Sequence, residues 1–158
     1  MRVLPFATAA ALTAVSSIAY AAPTCNGLPV LSQAELAAQL GGHMVCMGSA
    51  GQWQNQEFHG GTTAGYIQDY KRGPSDPREP TTSTSYGSFS IRESNGGAAS
   101  RGEISYKYAG GYSDGPFMVS AGGATGGGTA YYFCRSASSA GSLSHTVVVE
   151  AASLSPCK

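Results

Sequence analysis

The densest run of chemistry-bearing side chains is Trp53-Gln54-Asn55-Gln56-Glu57-Phe58-His59. After a short joint it is followed by Asp69-Tyr70-Lys71-Arg72-Gly73-Pro74-Ser75-Asp76-Pro77. In a regular strand, alternation sets Trp53, Asn55, Glu57 and His59 on one face. A carboxylate beside an imidazole on the same side can do acid–base work, and with Asp69 these residues are the set a small enzyme would use. The same pattern also describes a polar strand face opposite a buried Phe58. Trp53 shares its parity with Glu57, which implies either a ligand-facing barrel interior or a bulge in the strand. As the only tryptophan, Trp53 is expected to anchor the core or to line that interior. Trp53, Glu57, His59, Asp69, Tyr70 and Asp76 make up the candidate binding set.

Other chemistries find less support. Gly73-Pro74-Ser75-Asp76-Pro77 is turn material, because proline fixes φ and aspartate caps turns through its own side chain. Asp69 and Asp76 do not have the spacing of a calcium loop. Gly122–Gly128 has no Gly-Lys-Ser/Thr after it and no helix start, so it reads as a hairpin loop and not a phosphate cradle. There is no Gly-x-Ser-x-Gly nucleophile motif. His43, His59 and His145 are too scattered to suggest a metal. No cofactor and no metal are implied.

Nine basic residues balance nine acidic ones, charged residues are 11% of the chain, and the isoelectric point is near 6.8. Nucleic acid or anionic lipid would call for clustered Lys and Arg, so neither is expected as a partner. Met1–Ala21 reads as a secretion signal: Arg2 opens it, Val3–Val15 is apolar, and Ala19-Tyr20-Ala21 is a small-x-small cleavage site. Cleavage near Ala21 would deliver residues 22–158, a single domain, to the periplasm or the medium. No membrane span is expected to remain after cleavage, and the domain is read as monomeric.

Four cysteines lie beyond the signal. An even number in an exported small domain indicates disulfides. Cys46 and Cys134 both sit in strand-like sequence, while Cys25 and Cys157 are near the ends. The expected pairs are therefore Cys46–Cys134 and Cys25–Cys157, since chain termini are often close in space.

The elements that must position these groups are mostly strands. Ser32-Gln33-Ala34-Glu35 matches a capping box, Leu36–Leu40 is good helix material, and Gly41-Gly42 ends it. Beyond Gly42, eight strands are predicted: His43–Met47, Gln52–His59, Gly65–Lys71, Ser85–Arg92, Gly102–Ala109, Gly115–Ala121, Thr129–Arg135 and His145–Ala151. In one of them Ile104, Tyr106 and Tyr108 share a face. No helical crossovers separate the strands, which excludes a parallel α/β fold. The expected fold is mainly β: a single antiparallel eight-stranded meander barrel or flattened barrel with one short N-terminal helix. Closure also removes the unpaired edges that a chain with few charges could not otherwise protect.

Several of these residues occur together in a recognisable order. They are Leu36…Leu40-Gly41, Val45-Cys46, Trp53-Gln54, His59, Asp69-Tyr70-Lys71-x-Gly73-x-x-Asp76-Pro77, Gly87-Ser88-Phe89-Ser90-Ile91, Ile104-Ser105-Tyr106-x-Tyr108 and Tyr132-Phe133-Cys134. The order resembles a group of small exported bacterial β-rich proteins to which no function is assigned. Gly87-Ser88-Phe89 departs from the Gly-Thr-Trp of that group, and Cys25 and Cys157 look like additions to it. One helix before a β-meander is also similar in layout to calycin-like barrels and periplasmic lysozyme inhibitors. The resemblance implies a fold and lends no reaction.

The functional expectation is an exported, non-enzymatic, inhibitor-like binding module. Its target is either a small amphipathic ligand in the barrel or a protein at its loops. The alternative is a small exported enzyme using Glu57, His59 and Asp69. Convergence of those three in a pocket would favour the enzyme.

Overall fold

The structure, a computed structural model, describes residues 24–71, 85–94, 101–135, 140–150 and 157–158. The secretion-signal segment and the turn containing Asp76 lie outside the described residues.

The segment before the helix forms two short strands, β1 (Thr24–Cys25) and β2 (Leu28–Pro29). Helix α1 (Gln33–Leu40) begins at the capping box that its sequence predicts. The Ser32 hydroxyl accepts from the Glu35 amide at 3.3 Å, and the Ser32 amide donates to the Glu35 carboxylate at 2.8 Å. The Ser32 amide and the Ser32 hydroxyl, which donates to the same carboxylate at 2.7 Å, hold the Glu35 carboxyl below the usual range.

Eight longer strands follow, one for each predicted. They are β3 (Met44–Ser49), β4 (Gln52–Gly61), β5 (Ala64–Lys71), β6 (Ser85–Ser94), β7 (Arg101–Tyr108), β8 (Ser113–Thr125), β9 (Gly128–Arg135) and β10 (Ala140–Glu150). Each pairs antiparallel with the next, and β10 pairs with both β9 and β3. The sheet is therefore a closed eight-stranded antiparallel barrel with one helix. β8 and β9 are longer than predicted at their junction. After a register shift between Ala121 and Ala124, the glycine-rich segment stays paired to Thr125↔Gly128, so the expected seven-residue loop shrinks to a turn at Gly126-Gly127. Among the described residues, no helix is long and apolar enough to cross a membrane.

Helix α1 closes one end of the barrel. Leu36 and Leu40 are fully buried in the core among Ile91, Ile104 and Val119. Approach to β7 is close: the Gly102 amide donates to the Leu31 carbonyl at 2.9 Å. A Cβ on Gly102 would lie 2.8 Å from the Ser32 carbonyl oxygen, so only glycine fits under the helix entry. Across the opening, the Tyr131 hydroxyl donates to Gln39 at 2.6 Å. Above this plug the interior is filled by Val45, Phe89, Phe117, Phe133 and Val147.

Both disulfides differ from the expected pairing. Cys25 bonds Cys134 and Cys46 bonds Cys157, with Cα separations of 5.6 and 6.2 Å. The expected Cys46–Cys134 bridge fails on register. Cys46 is opposite Val148 on β10, and Val148 is opposite Ala130 on β9. Cys134 is four residues beyond Ala130, roughly 13 Å further along its strand, and two strand spacings separate it laterally from Cys46. Bridged cysteines need Cα atoms within about 7 Å. Each end of the chain is instead stapled to a different neighbour of β10.

Trp53 is buried, as expected of a core anchor, but it does not line the interior. A register shift between Met47 and Gly48 pairs Met47 with Asn55 and Gly48 with Trp53, leaving Gln54 as an extra residue. That bulge turns Trp53 to the outer face. There it packs with Met44, Cys46, Tyr70 and Cys157, and its indole donates to the Lys158 carbonyl at 2.7 Å.

Peptide mapping under non-reducing conditions should recover Cys25–Cys134 and Cys46–Cys157 linked peptides only. A Cys46–Cys134 peptide would contradict the strand register.

Candidate functional site

Among the described residues, nothing covers the end of the barrel opposite α1. Alternation along the strands brings Asn55 and Glu57 of β4, Tyr106 and Tyr108 of β7 and His145 of β10 to this end, and each lines a cavity of about 480 Å³. Val45, Phe117, Phe133 and Val147 form its apolar wall and floor, and Met47, Tyr86, Tyr112 and Asp114 stand round the rim. The cavity is mostly aromatic, with its polar groups concentrated on β4 and β8.

Glu57 is the central polar group. It is 6% exposed and accepts from the Asn55 amide at 3.2 Å and the Tyr108 hydroxyl at 3.3 Å. Three tyrosines lead to it from the surface. Tyr112, 61% exposed, stacks on Tyr108 at 5.8 Å, and Tyr108 stacks on the buried Tyr106 at 6.1 Å. Tyr86 leans on Tyr108 from β6 at 5.7 Å. Burial pushes the Tyr106 and Tyr108 hydroxyls up from their ordinary pKa, and the adjacent Glu57 charge pushes them further.

At the rim, Asp114 accepts from Arg135 at 2.6 Å and from the Gly115 amide at 2.9 Å. The Arg135 guanidinium also lies 5.0 Å from the Phe117 ring centre. His145 stacks on Phe133 at 4.8 Å and meets Phe117 edge-on. Burial lowers its pKa from the ordinary imidazole value, against the opposing charges of Asp114 and Glu57.

The enzyme set is only partly brought together. Glu57, His59 and Asp69 are all buried, and Glu57 lies directly opposite Asp69 on β5. The inward parity expected for Glu57 and His59 holds. However, His59 Nε2 is 3.8 Å from the Glu57 carboxylate, beyond hydrogen-bond length. His59 lies wholly below the cavity, its ring stacked on Phe89 at 4.8 Å and tilted against Tyr106 at 5.5 Å. Of the three, only Glu57 reaches the cavity wall. Trp53 and Tyr70 are on the outer face, and Asp76 is outside the described residues.

Outside the barrel, Cys46, Cys157 and Glu150 come together closely enough to hold a metal ion. Both sulfurs are consumed by their disulfide, so neither can serve as a thiolate ligand. The Glu150 carboxylate instead accepts from the Lys158 amide at 2.7 Å.

Sequence reasoning placed Ile104, Tyr106 and Tyr108 on one face without assigning them to a site. Inward parity, carried one turn of alternation beyond the core residues, would have found Tyr108 as a cavity residue. It would not have found Asp114, set opposite Tyr106 by the β7–β8 pairing, or His145, brought in by β10 pairing with β9 and β3. No protein-family model, curated protein or solved structure matches the chain.

The buried tyrosines give the fold an alkaline weakness. Above the ordinary tyrosine pKa of 10.0, the unfolded chain releases protons that Tyr106 and Tyr108 still hold in the barrel. Their contribution to stability is complete below that pH and is lost as pH rises beyond it. The urea midpoint should fall between about pH 8 and about pH 11, and Tyr108→Phe should lessen the fall. An identical fall in the variant would contradict the burial of Tyr108 beside Glu57.

Proposed function

We propose that the protein is an exported binding module that takes a small amphipathic ligand into the mouth of its barrel. The observation that carries this reading is the cavity of about 480 Å³ at the open end, walled by aromatic rings and furnished with one buried carboxylate. Ligand sites are typically concave, roughly 300–1,000 Å³, mainly apolar, and supplied with a few fixed polar groups. Tyrosine suits such a wall because it offers a large contact area and a hydroxyl at modest entropic cost.

Export follows from the signal-like Met1–Ala21, with cleavage near Ala21, and agrees with two disulfides, which persist in oxidising compartments. Binding is favoured over catalysis by Glu57, His59 and Asp69 because the His59 imidazole is sealed under Tyr106 and Phe89, away from any ligand in the cavity. A general base must reach the proton it removes.

Titration with the neutral fluorophore N-phenyl-1-naphthylamine should show one saturable site per chain. Met47→Trp, which fills the rim, should weaken it at least tenfold, or about 1.4 kcal/mol. Absence of saturable binding, or binding indifferent to Met47→Trp, would refute the reading.

A further inference from the structure

We infer that the polar end of the ligand is an organic cation, an ammonium carried on an apolar group, held against Glu57 between the mouth tyrosines. This rests on the binding role proposed above and specifies its ligand class.

The inference begins from the charge placed in the cavity wall. Glu57 is 6% exposed, and its two hydrogen-bond donors, Asn55 and Tyr108, are both neutral. A carboxylate withdrawn from water is costly unless a positive charge compensates it. Among the described residues that line the cavity there is no lysine or arginine. Arg135, beside the cavity residues Asp114 and Phe117, is engaged with Asp114 at 2.6 Å. His145 lines the cavity, stacked on Phe133, and burial lowers its pKa. His59 is 3.8 Å from Glu57, within ion-pair range but beyond hydrogen-bond length, and it does not line the cavity.

The walls point the same way. Tyr112, Tyr108 and Tyr106 form a continuous stack from the surface to the interior, and Tyr86 flanks it. The face of an aromatic ring carries negative charge density and attracts ammonium groups, most strongly when water is excluded. A carboxylate among tyrosine faces therefore complements a cation and repels an anion. Apolar residues at the floor, Phe117, Phe133 and Val147, would receive the hydrocarbon part. The upward shift that Glu57 imposes on Tyr106 and Tyr108 reflects the same negative field.

Three amphiphiles with one tail and different heads test this: octyltrimethylammonium, octan-1-ol and octanoate, each titrated calorimetrically into the exported protein. The ammonium should bind at least tenfold more tightly than the alcohol, and octanoate should bind weakest. Glu57→Gln keeps the side-chain shape and should erase the tenfold preference of ammonium over alcohol. Alcohol or octanoate binding as tightly as the ammonium would overturn the cation assignment and leave the cavity reading standing. Failure of all three to bind would overturn both. A preference that survives Glu57→Gln would remove Glu57 as the counter-ion. Should that variant not fold, the comparison of head groups on the unaltered protein decides alone.

Discussion

Everything in this molecule depends on β10 pairing along both of its edges. It hydrogen-bonds β9 on one side and β3 on the other, which converts an eight-strand meander into a ring. Closure removes the exposed strand edges of the meander. It also encloses a space whose width is set by strand number and tilt and which side chains must fill. The disulfides reinforce this seam from outside, one fastening the N-terminal segment to β9 and the other fastening Cys157 to β3.

The enclosed space is filled unevenly, and that asymmetry makes the site. At one end α1 supplies Leu36 and Leu40, and β5–β8 supply Ile67, Ile91, Ile104 and Val119, all buried. At the other end the inward positions are Asn55, Glu57, Tyr108, Asp114 and His145, which cannot be packed dry without hydrogen-bond partners. They partner one another where they can and leave the remaining volume to a cavity. Packed apolar side chains are concentrated at the plugged end and the cavity at the other.

Much of the fold was legible in the sequence because its signals are local. The capping box at Ser32–Glu35 fixed the start of α1, and period-two alternation in Gly102–Tyr108 showed which of its residues face inward. Hairpin-length joints implied a meander. What was not legible depends on register between distant strands. The disulfide pairing turns on Cys46 lying level with Ala130 and not with Cys134, a relation carried by β10 and invisible in either local sequence. The bulge at Gln54 likewise sends Trp53 outward while Glu57 and His59 face in, so a single parity could not place all three. Of the candidate site, Glu57 was legible as an acid sharing a face with His59, the interior being one of the readings of that face. Its partner Tyr108 on β7 was not, because only the curling of the meander into a barrel brings β7 across to β4.

The most direct test of an interior site is an amide chemical-shift map of the 15N-labelled protein, free and saturated with N-phenyl-1-naphthylamine. The expected shifts centre on Asn55, Glu57, Tyr108, Asp114 and His145, with the outward-facing Trp53 and Tyr66 almost unmoved. Shifts concentrated on the outer face around Trp53 and Tyr70, with the mouth unchanged, would contradict it.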